Sequence, residues 1–134
     1  MLSIVAIVTT YFVSYKEIRS ANKRAIKQAE NSFFAEYTKR YQDIILAMPD
    51  DVFEGTAIIN GRTLKYMQLY FDLCSEEYNL YCKGMIPEEI WSNWKEGMCI
   101  TVKTQLYNHC WKRLSGIYNQ SFYTFFEKEI ISQK

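Results

Sequence analysis

Apolar and polar positions alternate at helical spacing through most of the chain. Between Leu64 and Lys83, at about 100° per residue, Met67, Tyr70, Phe71, Cys74, Tyr78 and Tyr81 share one face. Leu69, Leu73 and Leu80 form a second stripe beside it, and Gln68, Asp72, Ser75, Asn79 and Lys83 gather opposite. Gly84 follows, where a helix commonly ends in a left-handed residue. Pro87 opens a further helix in its first turn, where its missing N–H costs nothing. Glu88 and Glu89 sit near the positive end of that helix dipole. Ile90, Trp91, Trp94 and Met98 make its apolar face. The pattern predicts an αα-hairpin turning at a Gly–Pro corner.

The same periodicity organises the flanks. No Gly or Pro interrupts the chain before Pro49, so one long helix is expected up to about Met48. Within it Ile26, Phe33, Tyr37, Tyr41, Ile44 and Met48 form a heptad-like stripe. Ala21, Ala25, Ala29 and Ser32 form a line of small residues. Pro49-Asp50-Asp51 ends the helix, and the segment to Arg62, with Gly55, Asn60 and Gly61, reads as loop with room for a short helical turn. After Trp91, one helix cannot keep its apolar face as far as Leu114, because Leu106, Cys110 and Leu114 lie roughly 100–180° from the earlier face. A break between about Cys99 and Thr104, in a β-branched and weakly helical stretch, resolves this. Gly116 ends the next helix, and a last one from about Asn119 to Ile131 buries Phe122, Phe125 and Phe126. The expected fold is all-α: about five helices, a long N-terminal one followed by a compact helical bundle. Residues 1–15 form an apolar anchor, 16–48 a basic-to-amphipathic helix continuous with it, 49–62 a loop and 63–134 the helical domain.

The hairpin carries a family resemblance. The run Ser75-Glu76-Glu77-Tyr78, then Leu80-Tyr81, then Lys83 to Trp91, then Trp94 and Gly97 resembles an uncharacterised family of small bacterial proteins. Trp111 and the aromatic run Phe122–Phe126 look like its remaining landmarks, and the match covers roughly residues 30 to 130. The resemblance implies an N-terminal membrane helix ahead of a cytoplasmic helical domain, in a prokaryotic or phage protein. It implies no chemistry.

Charge placement gives the N-terminus its meaning. The 134 residues carry a net charge of +1, so the molecule as a whole is no obvious polyanion binder. Residues 16–27, however, hold Lys16, Arg19, Lys23, Arg24 and Lys27 against Glu17 alone, while from Asp50 onward acids outnumber bases, eleven against nine. The basic cluster directly follows Leu2–Tyr15, which is apolar apart from Ser3, Thr9, Thr10 and Ser14. A cleavable signal fits poorly, since there is neither a basic leading region nor a small-residue cleavage site. A spanning helix needs about 17–20 apolar residues, and this run approaches that length by letting Lys16 snorkel. The basic flank predicts a single pass at the cell membrane with the C-terminal domain cytoplasmic. An interfacial or protein-embedded end is the other reading. The five basic residues are expected to meet anionic lipid headgroups rather than nucleic acid. The small-residue line is expected to meet a partner helix, from a second copy or another protein, or else this chain's own later helices.

Candidate chemistry is sparse. The four cysteines, Cys74, Cys82, Cys99 and Cys110, form no Cys-x-x-Cys pair and read as free thiols. His109 is the sole histidine, without the companions a zinc or di-iron site needs. Asp50-Asp51, Glu76-Glu77 and Glu88-Glu89 diverge on a helix and make no ready acid–base pair. There is no phosphate-cradling loop and no nucleophile elbow. No cofactor, metal or small-molecule substrate is expected. Glu77 stands out because the wheel places it inside the apolar sector, so it should be buried and satisfied by a Tyr or Trp donor or by a basic residue, Arg113 first. Its expected role is structural, fixing with Tyr78, Trp91, Trp94 and Trp111 how the hairpin docks. The function expected is a non-enzymatic, membrane-tethered helical interaction module. The alternatives are a small effector enzyme whose site assembles on oligomerisation, or an accessory subunit of a larger membrane complex.

Overall fold

A computed structural model of the chain describes residues 4–133; the first residues of the expected anchor, 1–3, lie outside them. Every element among the described residues is helical. They are α1 (Ile4–Ala47), a single turn α2 (Asp50–Phe53), α3 (Gly61–Cys82), α4 (Glu88–Val102), α5 (Gln105–Leu114) and α6 (Gln120–Phe125). A 3₁₀ turn, Ser115–Ile117, joins α5 to α6, and a π-helical turn, Phe126–Ile131, prolongs α6.

Local chemistry explains the boundaries. Pro49 stands at the N-cap of α2. Asn60 caps α3 by accepting from the Thr63 N–H at 3.0 Å, and Asn119 caps α6 by accepting from Phe122 at 2.9 Å. The α3 terminus is a Schellman motif. Gly84 takes φ 71°, its N–H reaches the Tyr81 carbonyl at 2.9 Å, and the Met85 N–H reaches Leu80 at 3.0 Å. Pro87 is the N-cap of α4, one position ahead of the expected first turn. The break after Val102 falls inside the β-branched stretch where the two apolar faces demanded it. The expected loop at 49–62 contains α2, whose Val52 is fully buried. Gly55 behind it has φ 79°, and a Cβ there would lie 2.7 Å from Thr104 Cγ2, so both conformation and space require glycine.

Helix α3 is the centre of the bundle, contacting α1, α4, α5 and α6. Its Phe71 sits edge-on to Trp111 at 5.2 Å between centroids and to Phe126 at 5.7 Å. Trp111 also tilts against Phe126 at 4.4 Å and meets Phe122 edge-on. These four rings are fully buried. The Trp111 indole donates to Glu127 Oε1 at 2.8 Å, so the polar edge of the most deeply buried ring is satisfied. A second aromatic layer closes the hairpin. Tyr81 stacks on Trp91 at 4.6 Å, and Tyr78 stacks on Phe125 at 4.3 Å. The Tyr81 hydroxyl donates to Glu88 across the corner at 3.0 Å. Leu69 departs from the expected stripe and is exposed, while Leu73 and Leu80 are buried.

Helix α1 belongs to the bundle only over its last third. Tyr37 is buried and Phe33 and Ile44 are half-buried. Met48, just beyond the helix, is buried under the Tyr107 hydroxyl at 3.5 Å from its sulfur. From Ile4 to Ser32 every residue is exposed except the half-buried Ala6 and Glu30. Ile26, expected on the packed stripe, is therefore in the free part. No helix among the described residues is long and apolar enough to cross a membrane, because every 18-residue stretch that includes the apolar start of α1 takes in Lys16, Glu17 and Arg19.

Candidate functional site

Where α1 crosses α3 and α4, the three helices leave a cavity of about 440 Å³. Helix α1 contributes Phe34, Tyr37, Thr38 and Tyr41. Helix α3 contributes Tyr70, Cys74 and Glu77, and α4 contributes Asn93, Trp94, Gly97, Met98 and Thr101. The spacing explains the shared face: 34, 37, 38 and 41 lie one above another on α1, as do 70, 74 and 77 on α3 and 94, 97, 98 and 101 on α4. Phe34 and Trp94 face one another nearly in parallel at 6.5 Å, and Tyr37 tilts against Trp94 at 6.0 Å. At Gly97 a Cβ would meet nothing within 4 Å, so α4 leaves open space on this side.

Glu77 is the ionisable carboxylate of this cavity. It is 7% exposed, as its place on the wheel predicted. Its expected partner is not there. Arg113 is exposed at the end of α5 and forms no ion pair among the described residues. The nearest cationic influence comes from the other direction in the chain. Arg40 of α1 binds the exposed neighbour Glu76, and its guanidinium lies over the Tyr37 ring, 4.9 Å from the centroid. Burial accordingly pushes the Glu77 carboxyl up to about 8; Arg40 opposes this and Glu76 adds to it. Every side-chain nitrogen or oxygen sealed from solvent has a hydrogen-bond partner among the described residues. The Glu77 oxygens have none, so they are not sealed but open onto the cavity they line.

Cys74 and Tyr70 of the cavity are held protonated by burial. Burial raises Cys74 well above the ordinary thiol range, with the negative field of Glu77 adding to it. It likewise raises Tyr70. A protonated thiol is a poor nucleophile, so the cavity offers one proton-exchanging carboxylate among aromatic faces, with Thr38, Asn93 and Thr101 as neutral polar groups.

The remaining residues singled out from the sequence fall into two sets. Tyr78, Trp91 and Trp111 lie in the aromatic layers of the bundle, away from the cavity, and Trp94 forms one of its walls. Ala21, Ala25, Ala29 and Ser32 are exposed and uncovered by this chain's own helices, as are Lys16, Arg19, Lys23, Arg24 and Lys27. Cys74 and Cys110 are buried and all four thiols are free. His109 is exposed, and among the described residues no group of three metal-ligating side chains comes together. Phe34, Thr38, Asn93 and Thr101 were not anticipated as site residues. Gly97 carried a legible signal as an isolated glycine inside a helical pattern, where it costs about 1 kcal/mol against alanine.

Compared with known proteins, the chain matches no family model, no curated protein and no solved structure.

Proposed function

We propose that the protein is a non-enzymatic, membrane-tethered helical interaction module, prokaryotic or phage in origin, whose domain faces the cytoplasm. The observation that carries this reading is the free N-terminal part of α1. Ile4, Val5, Tyr11 and Phe12 project from the bundle with no other helix of the described residues packed against them, Ile4 being 81% exposed. An apolar run uncovered on every side is unfavourable in water at roughly 25 cal/mol per Å². The Thr9 and Thr10 hydroxyls donate to the carbonyls one turn back at 2.9 Å, which lowers the cost of taking them out of water. The band Lys16, Arg19, Lys23, Arg24 and Lys27 begins at the end of this run. Lys16 already reaches back over the Phe12 ring, 5.7 Å from its centroid. From Ile4 to Tyr15 the helix is about 18 Å long, against about 30 Å of hydrocarbon. The tether therefore enters the bilayer with its basic band among the headgroups, and the uncovered Ala21–Ser32 line is left available to a second helix.

The test is cell fractionation of the full chain together with vesicle flotation. The protein should sediment with membranes and float with anionic vesicles. Replacing the five basic residues with glutamine should weaken flotation, and deleting residues 1–15 should release the protein. A full chain that stays in the soluble fraction without detergent would overturn the tether. Light scattering of the detergent-solubilised protein reports on the helix contact: an oligomer that Ala25→Leu dissociates supports it, and a monomer counts against it.

A further inference from the structure

The cavity over Glu77 has no part in the tether, and its chemistry points elsewhere. A carboxylate more than nine-tenths buried would ordinarily be satisfied by a cation or by hydrogen-bond donors. Glu77 has neither among the described residues. The one arginine near enough to influence it is engaged by Glu76 and by the Tyr37 ring. The surrounding walls are aromatic faces, whose negative quadrupole attracts positive charge. Arg40 over Tyr37 shows that one of these rings already holds a cation on a face. At about 440 Å³ the space is that of a small-molecule site.

We propose that this cavity binds a small organic cation, an ammonium or guanidinium compound, with its N–H donors on the Glu77 carboxylate and its carbon skeleton against Trp94, Tyr37 and Phe34. The site selects for charge by leaving an acid unpaired, and for size by the absence of a side chain at Gly97. Binding at neutral pH exchanges one proton. The neutral Glu77 acid loses its proton to solvent, and the carboxylate so formed pairs with the incoming cation. The groups facing Glu77 do not compete for this role. On α1 they are Tyr37, Arg40 and Tyr41, and on α3 Tyr70, Cys74 and Glu76. The lining of α4 is uncharged. Arg40 and Glu76, the two charged ones, neutralise each other.

The experiment uses the full chain in detergent and calorimetric titration with phenethylammonium, butylammonium, agmatine and choline, with 2-phenylethanol as the uncharged counterpart of the first. Subtracting the signal of Gly97→Leu, which fills the cavity, removes uptake by detergent. At least one cation should bind saturably, roughly ten- to a hundredfold tighter than 2-phenylethanol. Its heat should depend on the buffer's ionisation enthalpy, the sign of a released proton, and its affinity should rise from pH 6 to pH 8. Glu77→Gln, which keeps the shape, should remove the preference for the cation and the released proton together. Thermal melts establish that both variants fold. The proposal is overturned if no cation binds saturably, if the alcohol binds equally well, or if Glu77→Gln leaves cation affinity unchanged. Each of these results would make Glu77 a buried neutral acid without a ligand, and none depends on whether the N-terminus meets a membrane.

Discussion

The two halves of the molecule handle apolar side chains in opposite ways. From Ile4 to Ser32 nearly all of them lie exposed around a helix that no other helix of the described residues covers, whereas from Phe33 onward most converge on α3. Composition separates them in part: both contain Ile and Tyr, but Phe12 is the one phenylalanine of the first stretch and every tryptophan lies in the second. Arrangement separates them further. The first turns of α1 are apolar all round and then basic, so no single face can dock on a bundle. The later helices each carry one apolar face, and faces can pair. Helical propensity alone thus makes a rod, and a domain forms only where the apolar residues share a side. The lesson extends to polar groups. In the free half a lysine reaches solvent at no cost, but in the packed half a carboxylate on the inner face, Glu77, is pushed by burial to hold its proton up to about 8.

This contrast can be tested by stability, beginning with the largest expected effect. Trp111→Ala removes the fully buried ring that touches Phe71, Phe122 and Phe126 and leaves Glu127 without its donor. It should cost about 3–5 kcal/mol in denaturant unfolding. Phe12→Ala in the free half should change the same measurement by no more than about 0.5 kcal/mol. Comparable losses at the two positions would show that the N-terminal rod packs on the domain after all.

Glu77→Gln comes next, and its effect depends on pH. The folded state holds the proton up to about 8, against an ordinary value of 4.5. Stability linked to Glu77 is therefore whole below about pH 4.5 and drains away as the pH rises to about 8. Glutamine carries no such penalty. The variant should melt with the wild type near pH 4 and exceed it at pH 9 by an amount on the order of a few kcal/mol. An Arg113 partner, as the sequence suggests, would give the reverse, since removing the carboxylate would strand a buried arginine at a cost of about 3–5 kcal/mol. A variant less stable than wild type at pH 9 would restore an ion-paired Glu77.

Gly97→Ala should stabilise the domain by about 0.5–1 kcal/mol, since α4 gains a better helix former in a place where the new Cβ touches nothing. Destabilisation would mean that the cavity wall is tighter than the structure shows. Smallest of all, deleting residues 1–29 should leave the domain's melting temperature unchanged, because packing on α3 starts at Phe33. A drop of several degrees would break the distinction between the two halves.

Much of the architecture was legible from residue order because its causes are local. Gly84 and Pro87 mark the hairpin corner, Pro49 ends the long helix, and the Cys99–Thr104 stretch divides two helices whose apolar faces disagree. The burial of Glu77 followed from periodicity as well, since a residue between two apolar stripes on one helix must go inside with them. Periodicity states which face turns inward but carries no information about which other face it will meet. That was decided by the crossing of α1 over α3 and α4. The crossing put Arg40 beside Glu76 and left Arg113 in solvent, opened a cavity beneath Phe34, Tyr37 and Trp94, and left Ala21 to Ser32 uncovered. Arg40 met Glu76, 36 positions away, and Phe34 met Trp94, and the free energy of such meetings depends on the shapes of two surfaces together, which neither segment specifies alone.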